Sequence, residues 1–275
     1  MQVDISGLTK HYETGTGSAV PVLSDISMSI GEAEFVCLLG PSGCGKSTLL
    51  KLIAGLEQPT RGTISFPGES GGGGGISRDC GFIFQNYALF PWLTVKENIR
   101  FGLQMRKVPR KRQLEIVEEY LTAYGLTGAA ELYPSQLSGG MSQRVAIARA
   151  LCLKPKLLLM DEPFGALDAI LRLKLQEEVV RIWEKEKITF MLVTHDVEEA
   201  IYLADRIIVM TPGPGRISQS VRVEIPRPRI RTNSDFTELR SRMMGLLDGS
   251  QTAQQPLPLD LRHQPYVQPP ARLSI

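Results

Sequence analysis

The sequence predicts an α/β fold: a mostly parallel sheet covered by helices, with an antiparallel β piece near the N-terminus and an inserted helical subdomain. Three observations predict it. Apolar runs without alternation recur at residues 35–39, 157–160, 190–193 and 207–210, as strands buried on both faces require. Helical patterns separate these runs, and strand–helix alternation builds a parallel sheet. A Gly-rich run, Gly40, Pro41, Ser42, Gly43, Cys44, Gly45, Lys46, Ser47 and Thr48, follows the first strand directly. It has the phosphate-loop spacing G-x-x-x-x-G-K-[ST] in the strand–loop–helix setting that pattern needs.

In chain order, Ile26, Met28 and Ile30 alternate with Ser27 and Ser29, which reads as a half-buried antiparallel strand. Residues 46–54 form a helical pattern ending at Gly55, a natural C-terminal cap. Glycines at 71–75 favour no regular structure and predict a flexible surface loop. A strand over 80–84 precedes Gln85. From about 87 to 153 the patterns are helical without a convincing strand, one helix running over 142–151; this is the inserted subdomain. Another helix is predicted over 169–187. Phe236, Leu239, Met243 and Leu246 keep helical spacing, with Asp235 and Glu238 placed as a variant capping box. The predicted division is a sheet core at about 1–86 and 154–230, a C-terminal helix at about 234–248, and a Gln/Pro-rich disordered tail over 249–275.

Composition narrows the classes. Apolar residues make up 43% and charged residues 22% of 275, ordinary for a globular chain. A net charge of +2 is too small to argue for nucleic acid. No apolar run reaches the ~20 residues that span a bilayer. The first residues show no basic segment followed by an apolar one, so no secretory signal is read. Four scattered cysteines lack metal-ligand spacing and suit a reducing cytosol.

The phosphate loop predicts nucleotide chemistry. Its glycines let backbone N–H groups turn toward phosphate oxygens, and the following helix aims its positive end at them. Lys46 adds a compact charge for the β- and γ-phosphates, and the Ser47 hydroxyl is placed for Mg²⁺. Asp161 ends an apolar strand and Glu162 follows: one carboxylate to hold Mg²⁺, one to orient and deprotonate water. The bland alternative is a cap on the next helix. Gln85 at a strand end can reach both metal and water. His195 follows a strand in Val-Thr-His-Asp, where open α/β sheets place ligand-contacting groups; an isolated histidine is as readily structural. Tyr12 precedes the loop and can stack on adenine, or simply pack.

Ser138, Gly139 and Gly140 begin a second helical pattern far from the first loop. Free N–H groups, close approach and a hydroxyl make a second anion site. It need not meet its own nucleotide. Two copies about a two-fold axis would place each Ser-Gly-Gly over the other's ATP, so that ATP becomes interface material and hydrolysis removes it.

Taken together, the phosphate loop, Gln85, Leu137-Ser-Gly-Gly-Met141, Asp161-Glu162, Ala166-Leu-Asp168 and His195 resemble, in order, the ATPase subunits of ABC transporters, over roughly residues 1–230. The resemblance implies a P-loop NTPase (RecA-like) core, ATP and Mg²⁺ as cofactors, and ATPase activity. It implies adenine stacking by Tyr12, a coupling-loop role for Gln85, communication across the dimer by Asp168, and a switch role for His195. Met141 departs from the family, where Gln is commonest. The 204–216 run and Ile225-Pro-Arg-Pro-Arg229 are similar to the nitrate/sulfonate/taurine/bicarbonate importer ATPases. That implies a homodimer of cassettes, a separate permease contacted near Tyr87–Trp92, an extracytoplasmic solute-binding protein, no nucleic acid, and a place on the cytoplasmic face of the inner membrane. The rival is a soluble ABC ATPase acting on nucleic acid or ribosomes, which usually fuses two cassettes or inserts a coiled coil.

Overall fold

The computed structural model describes residues 1–13, 15, 19–67, 79–165 and 167–248. The expected loop at 71–75 and tail at 249–275 lie outside the described residues. The chain opens with β1 (Val3–Glu13) and β2 (Ala19–Ile30), then β3 (Phe35–Leu39), α1 (Lys46–Ile53), β4 (Arg61–Ser65) and β5 (Cys80–Ile83). Next come α2 (Val95–Met105), α3 (Arg110–Ala123) and α4 (Gly139–Leu151), with two short 3₁₀ turns between the last two. The remainder is β6 (Leu157–Asp161), α5 (Ala169–Glu186), β7 (Thr189–Thr194), α6 (Val197–Leu203), β8 (Arg206–Thr211), β9 (Arg216–Arg222) and α7 (Ser234–Leu247).

Two sheets result. β2-β1-β4 is antiparallel, and β5-β6-β7-β3-β8-β9 is parallel except for β9, which runs antiparallel to β8. The absence of alternation in the apolar runs now has its cause. Phe35, Cys37 and Leu39 of β3 enter one core with α2 to α7, while Val36 and Leu38 enter another with α1 and the antiparallel sheet. β6, β7 and β8 divide in the same way, Leu158 and Met160 against Leu157 and Leu159 for example. The central strands therefore have no wet face.

The strand expected from Ile26 to Ile30 is the end of β2, paired antiparallel with β1. Gly55, at φ 70°, follows the Ala54 cap of α1. Between Gln85 and β6 the described residues contain helices and turns but no strand. Two expectations need correction. The helix expected from Ser142 begins at Gly139, because glycine's low propensity hides a first turn whose N–H groups make no intrahelical bonds. The variant capping box of the last helix does not form: Asn233 is the cap, without a side-chain bond, and the third helical position is Phe236 rather than Glu238.

The β1–β4 ladder carries a bulge between Ser6 and Thr9. There Gly62 takes φ +82°, and a Cβ on it would stand 2.4 Å from the Gly7 carbonyl oxygen. Gly62→Ala is expected to lose about 2–4 kcal/mol from the left-handed conformation and the backbone clash together. Gly128, with nothing within 4 Å of its Cβ position, should tolerate alanine within about 0.5 kcal/mol. Urea unfolding of both variants checks this; equal losses would refute it.

Candidate functional site

The loop joining β3 to α1 is shaped by its glycines. Gly43 and Gly45 hold φ +79° and +92°, and a Cβ on Gly45 would lie 2.5 Å from Leu23 Cδ2. Lys46 is buried, its Nζ donating to the Gly40 and Pro41 carbonyls at 2.8 and 2.9 Å. Its ammonium thus stays at the loop, in no ion pair among the described residues although Asp161 feels its charge. Burial raises the Cys44 thiol above its ordinary range, against the pull of Lys46, as for a thiol packed in the core. Ser42, Gly43, Gly45, Lys46, Ser47 and Thr48 line an open cleft, which Gln85 and Glu162 close on the far side.

The acidic pair comes from the end of β6. Asp161 is buried and accepts from the Ser47 hydroxyl at 2.8 Å. Burial lifts its carboxyl above the usual range, Ser47 pulls it back, and neighbouring Glu162 adds to the rise. Glu162 stands at φ 44°, with its N–H on the Val193 carbonyl at 3.0 Å. That left-handed residue is strained. The side chain of Glu162 meets Gln85 Nε2 at 3.4 Å and His195 Nδ1 at 3.5 Å, both at Oε2. Ser47, Asp161 and Gln85 offer oxygen donors of the kind a hard divalent cation takes. No group of three or more His, Cys, Asp or Glu side chains poised for a metal occurs among the described residues.

His195 follows β7 with its side chain 58% exposed. Tyr12 is 39% exposed, its hydroxyl bonded to Glu57 and its ring 4.8 Å from the Lys10 ammonium. Burial first, then the Glu57 bond, raise its phenol pKa, while Thr48 lowers it; the ring therefore sits beside the phosphate loop. Lys10 lies two residues away on the same face of β1, whereas Glu57, 45 residues distant and between α1 and β4, is brought to the Tyr12 hydroxyl only by the fold.

Ser138, Gly139 and Gly140 do not line the cleft. Ser138 caps α4 by accepting from Met141 N–H at 3.3 Å. A Cβ on Gly139 would lie 3.1 Å from Leu167, and one on Gly140 3.0 Å from Leu171. Asp168, between those leucines, caps α5 by accepting from Leu171 N–H at 3.0 Å. The fold thus gathers the phosphate loop, Gln85, Asp161, Glu162 and His195 in one place. It gathers the Ser-Gly-Gly turn and Asp168 in another.

The sequence profile of the ABC transporter family matches residues 23–165. The aliphatic sulfonates import ATP-binding protein SsuB of Bacillus cereus is 46% identical over 247 residues, covering 89% of this chain and 95% of that protein. The bicarbonate transport ATP-binding protein CmpC of Synechococcus elongatus is 47% identical over 253 residues, 90% of this chain but 38% of its own length. Among solved structures, a dimeric ATP-binding cassette in a post-hydrolysis state with ADP and Pi superposes with a TM-score of 0.71 at 31% identity. The match covers 82% of this chain and 100% of that one.

Lys46→Ala is expected to weaken binding of a fluorescent ATP analogue by about 1.5–3 kcal/mol, the range for a hydrogen bond to a charged group, or roughly 10- to 100-fold in Kd. Fluorescence titration checks it; an unchanged Kd would remove the ammonium from the phosphate site.

Proposed function

The chain belongs to the ABC transporter family, and from that premise we propose which of its residues perform the ATPase chemistry and what the cassette serves. It is an ATP-hydrolysing importer subunit that couples cassette dimerisation to uptake of a small solute through a separate permease. The carrying observation is the meeting of Ser47, Gln85, Asp161, Glu162 and His195 across one cleft.

In this reading the 40–48 loop holds the triphosphate through backbone N–H groups and Lys46. Ser47 and Asp161, with Gln85, hold Mg²⁺, which supplies charge neutralisation on the phosphates. Glu162 accepts the proton of the attacking water, its turned backbone aiming the carboxylate into the cleft. His195 contacts the γ-phosphate, and Tyr12 stacks on adenine with the face away from Lys10. The separate Ser138-Gly139-Gly140 turn serves the nucleotide of a second copy, with Asp168 beside it at the same interface. Each subunit is then incomplete alone, which makes ATP the bond between them.

The permease is assigned to the segment after Gln85. Tyr87 and Ala88 hold φ of 60° and 44°, and Arg149 donates to both of their carbonyls at 2.7 Å. Beyond this clamp Phe90 packs on Phe101, while Trp92 remains 69% exposed. A rigid turn with an uncovered indole supports docking of a partner helix. No helix among the described residues is long and apolar enough to cross a membrane, in keeping with a peripheral subunit on the cytoplasmic face. The relatives' names support a bicarbonate- or sulfonate-like solute, delivered by an extracytoplasmic binding protein. The division into a 1–248 cassette with a helical subdomain at about 87–153 belongs to the same proposal.

Glu162→Gln is expected to retain ATP binding and to slow hydrolysis by about 10²–10⁴-fold. A phosphate-release assay at the parental rate would exclude Glu162 as the base. In that slow background, Ser138→Arg should abolish the ATP-dependent dimer by filling the γ-phosphate gap with bulk and charge. Sedimentation showing the dimer intact would refute the shared-nucleotide arrangement.

A further inference from the structure

Outside the residues assigned above, one enclosed carboxylate stands out by its partners. Glu199, on α6, is 6% exposed. Its Oε1 accepts from Gln176 Nε2 at 3.2 Å, and its Oε2 accepts from the Thr194 hydroxyl. The same Thr194 oxygen accepts the Asp196 N–H at 3.0 Å. His195 therefore lies between two residues held by one network, while its own ring is largely exposed. Gln176 sits on α5, the helix capped by Asp168, and its carbonyl accepts from Arg231 at 2.5 Å. Arg231 in turn packs over the Tyr202 ring at 3.8 Å.

We propose that Glu199 is a positioning residue for His195: its buried carboxylate locks the Thr194–Asp196 turn against Gln176 of α5, and thereby fixes the imidazole beside Glu162. The inference rests on the ATPase reading above. Glu199 does not line the phosphate-loop cleft; it borders the small cavity beside Glu162 and His195, and its hydrogen bonds reach the imidazole through the turn. A side chain that only filled space would be apolar here. A carboxylate with two donors aimed at it is a directional brace, and removing it would leave the Gln176 amide and Thr194 hydroxyl buried without their acceptor.

The brace depends on protonation. Ionised, Glu199 only accepts, which matches its two donors. Protonated, it must itself donate, and the Thr194 hydroxyl loses its acceptor. Burial pushes Glu199 up to about 7, against the donations of Thr194 and Gln176. Asp196 raises it further and Arg172, on α5, lowers it. His195 and Glu162 share the adjoining cavity, and Cys37 of β3 feels the Glu199 charge from beneath. Below about pH 7 the Thr194 hydroxyl therefore loses its ionised acceptor and the turn its alignment, although the fold as a whole gains from shedding a buried charge; turnover should show an acid limb there.

The test uses the full chain with Mg-ATP, measuring steady-state turnover across roughly pH 5.5–8.5. Glu199→Gln, which keeps size but offers one acceptor, is expected to lower kcat about 10-fold, to leave KM for ATP within about 2-fold, and to erase the acid limb. Gln176→Met removes a donor that lowers Glu199, so it should move that limb to higher pH. Above pH 7 Glu199→Gln loses one acceptor but also the cost of a buried charge, so its melting temperature should stay close to the parent's, which separates mispositioning from unfolding. A parental kcat and acid limb in Glu199→Gln overturn the proposal, as does a rise in KM matching the fall in kcat. A parent chain without turnover would instead overturn the ATPase reading itself.

Discussion

Everything in this fold is arranged around the tight seating of one loop. The 40–45 turn is pressed between β2, β8 and the β8–β9 connection so closely that three glycines have no room for a side chain. A Cβ on Gly40 would meet the Met210 carbonyl at 2.8 Å, one on Gly45 the Leu23 side chain at 2.5 Å, and one on Gly215 the Cys44 carbonyl at 2.0 Å. Gly215 also bonds into β2, donating to Val22 at 2.8 Å and accepting from Ser24 at 3.0 Å. The antiparallel sheet and the far edge of the parallel sheet therefore grip the loop from two sides. An anion cradle made of backbone N–H groups works only if the backbone does not relax, and this packing supplies that rigidity.

The cleft opposite the loop relies on the opposite strategy, charge under restraint. Asp161 is buried beside Glu162, and Glu162 is held in a left-handed conformation by its bond to β7. Neither arrangement would be chosen for stability, since burial disfavours the ionised carboxylate. Both become sensible when a cation and a polyphosphate complete the charge balance. Local strain and buried charge then sit where function requires them, while the middles of the core strands on either side are apolar.

What the sequence revealed and what it hid follow the range of the interactions involved. The phosphate loop, the acid pair and the parallel strands were legible because each is contiguous: a run of five apolar residues or nine loop residues contains its own evidence. The start of α4 was not, because Gly139 and Gly140 look like a loop until Leu167 and Leu171 are packed against them. Lys10 is Tyr12's neighbour on one face of β1, two residues away, but Glu57, between α1 and β4, reaches the Tyr12 hydroxyl across 45 residues, and only the fold brings it there. The antiparallel β9 carried no strong signal, since of its residues only Val221 is buried.

The departure at Met141 can be judged by the same logic. Residue 141 contributes its backbone N–H, which donates to the Ser138 hydroxyl at 3.3 Å. Any residue other than proline supplies that donor. The groups that would face a phosphate are the Ser138 hydroxyl and the N–H groups of the first turn, together with the positive end of α4. None of these changes when Gln is replaced by Met, because the side chain of residue 141 is not part of the cap. Under the proposed shared-nucleotide arrangement, losing a polar side chain there would remove one optional hydrogen bond and leave the electrostatic one, so the turn would keep what such a triphosphate demands.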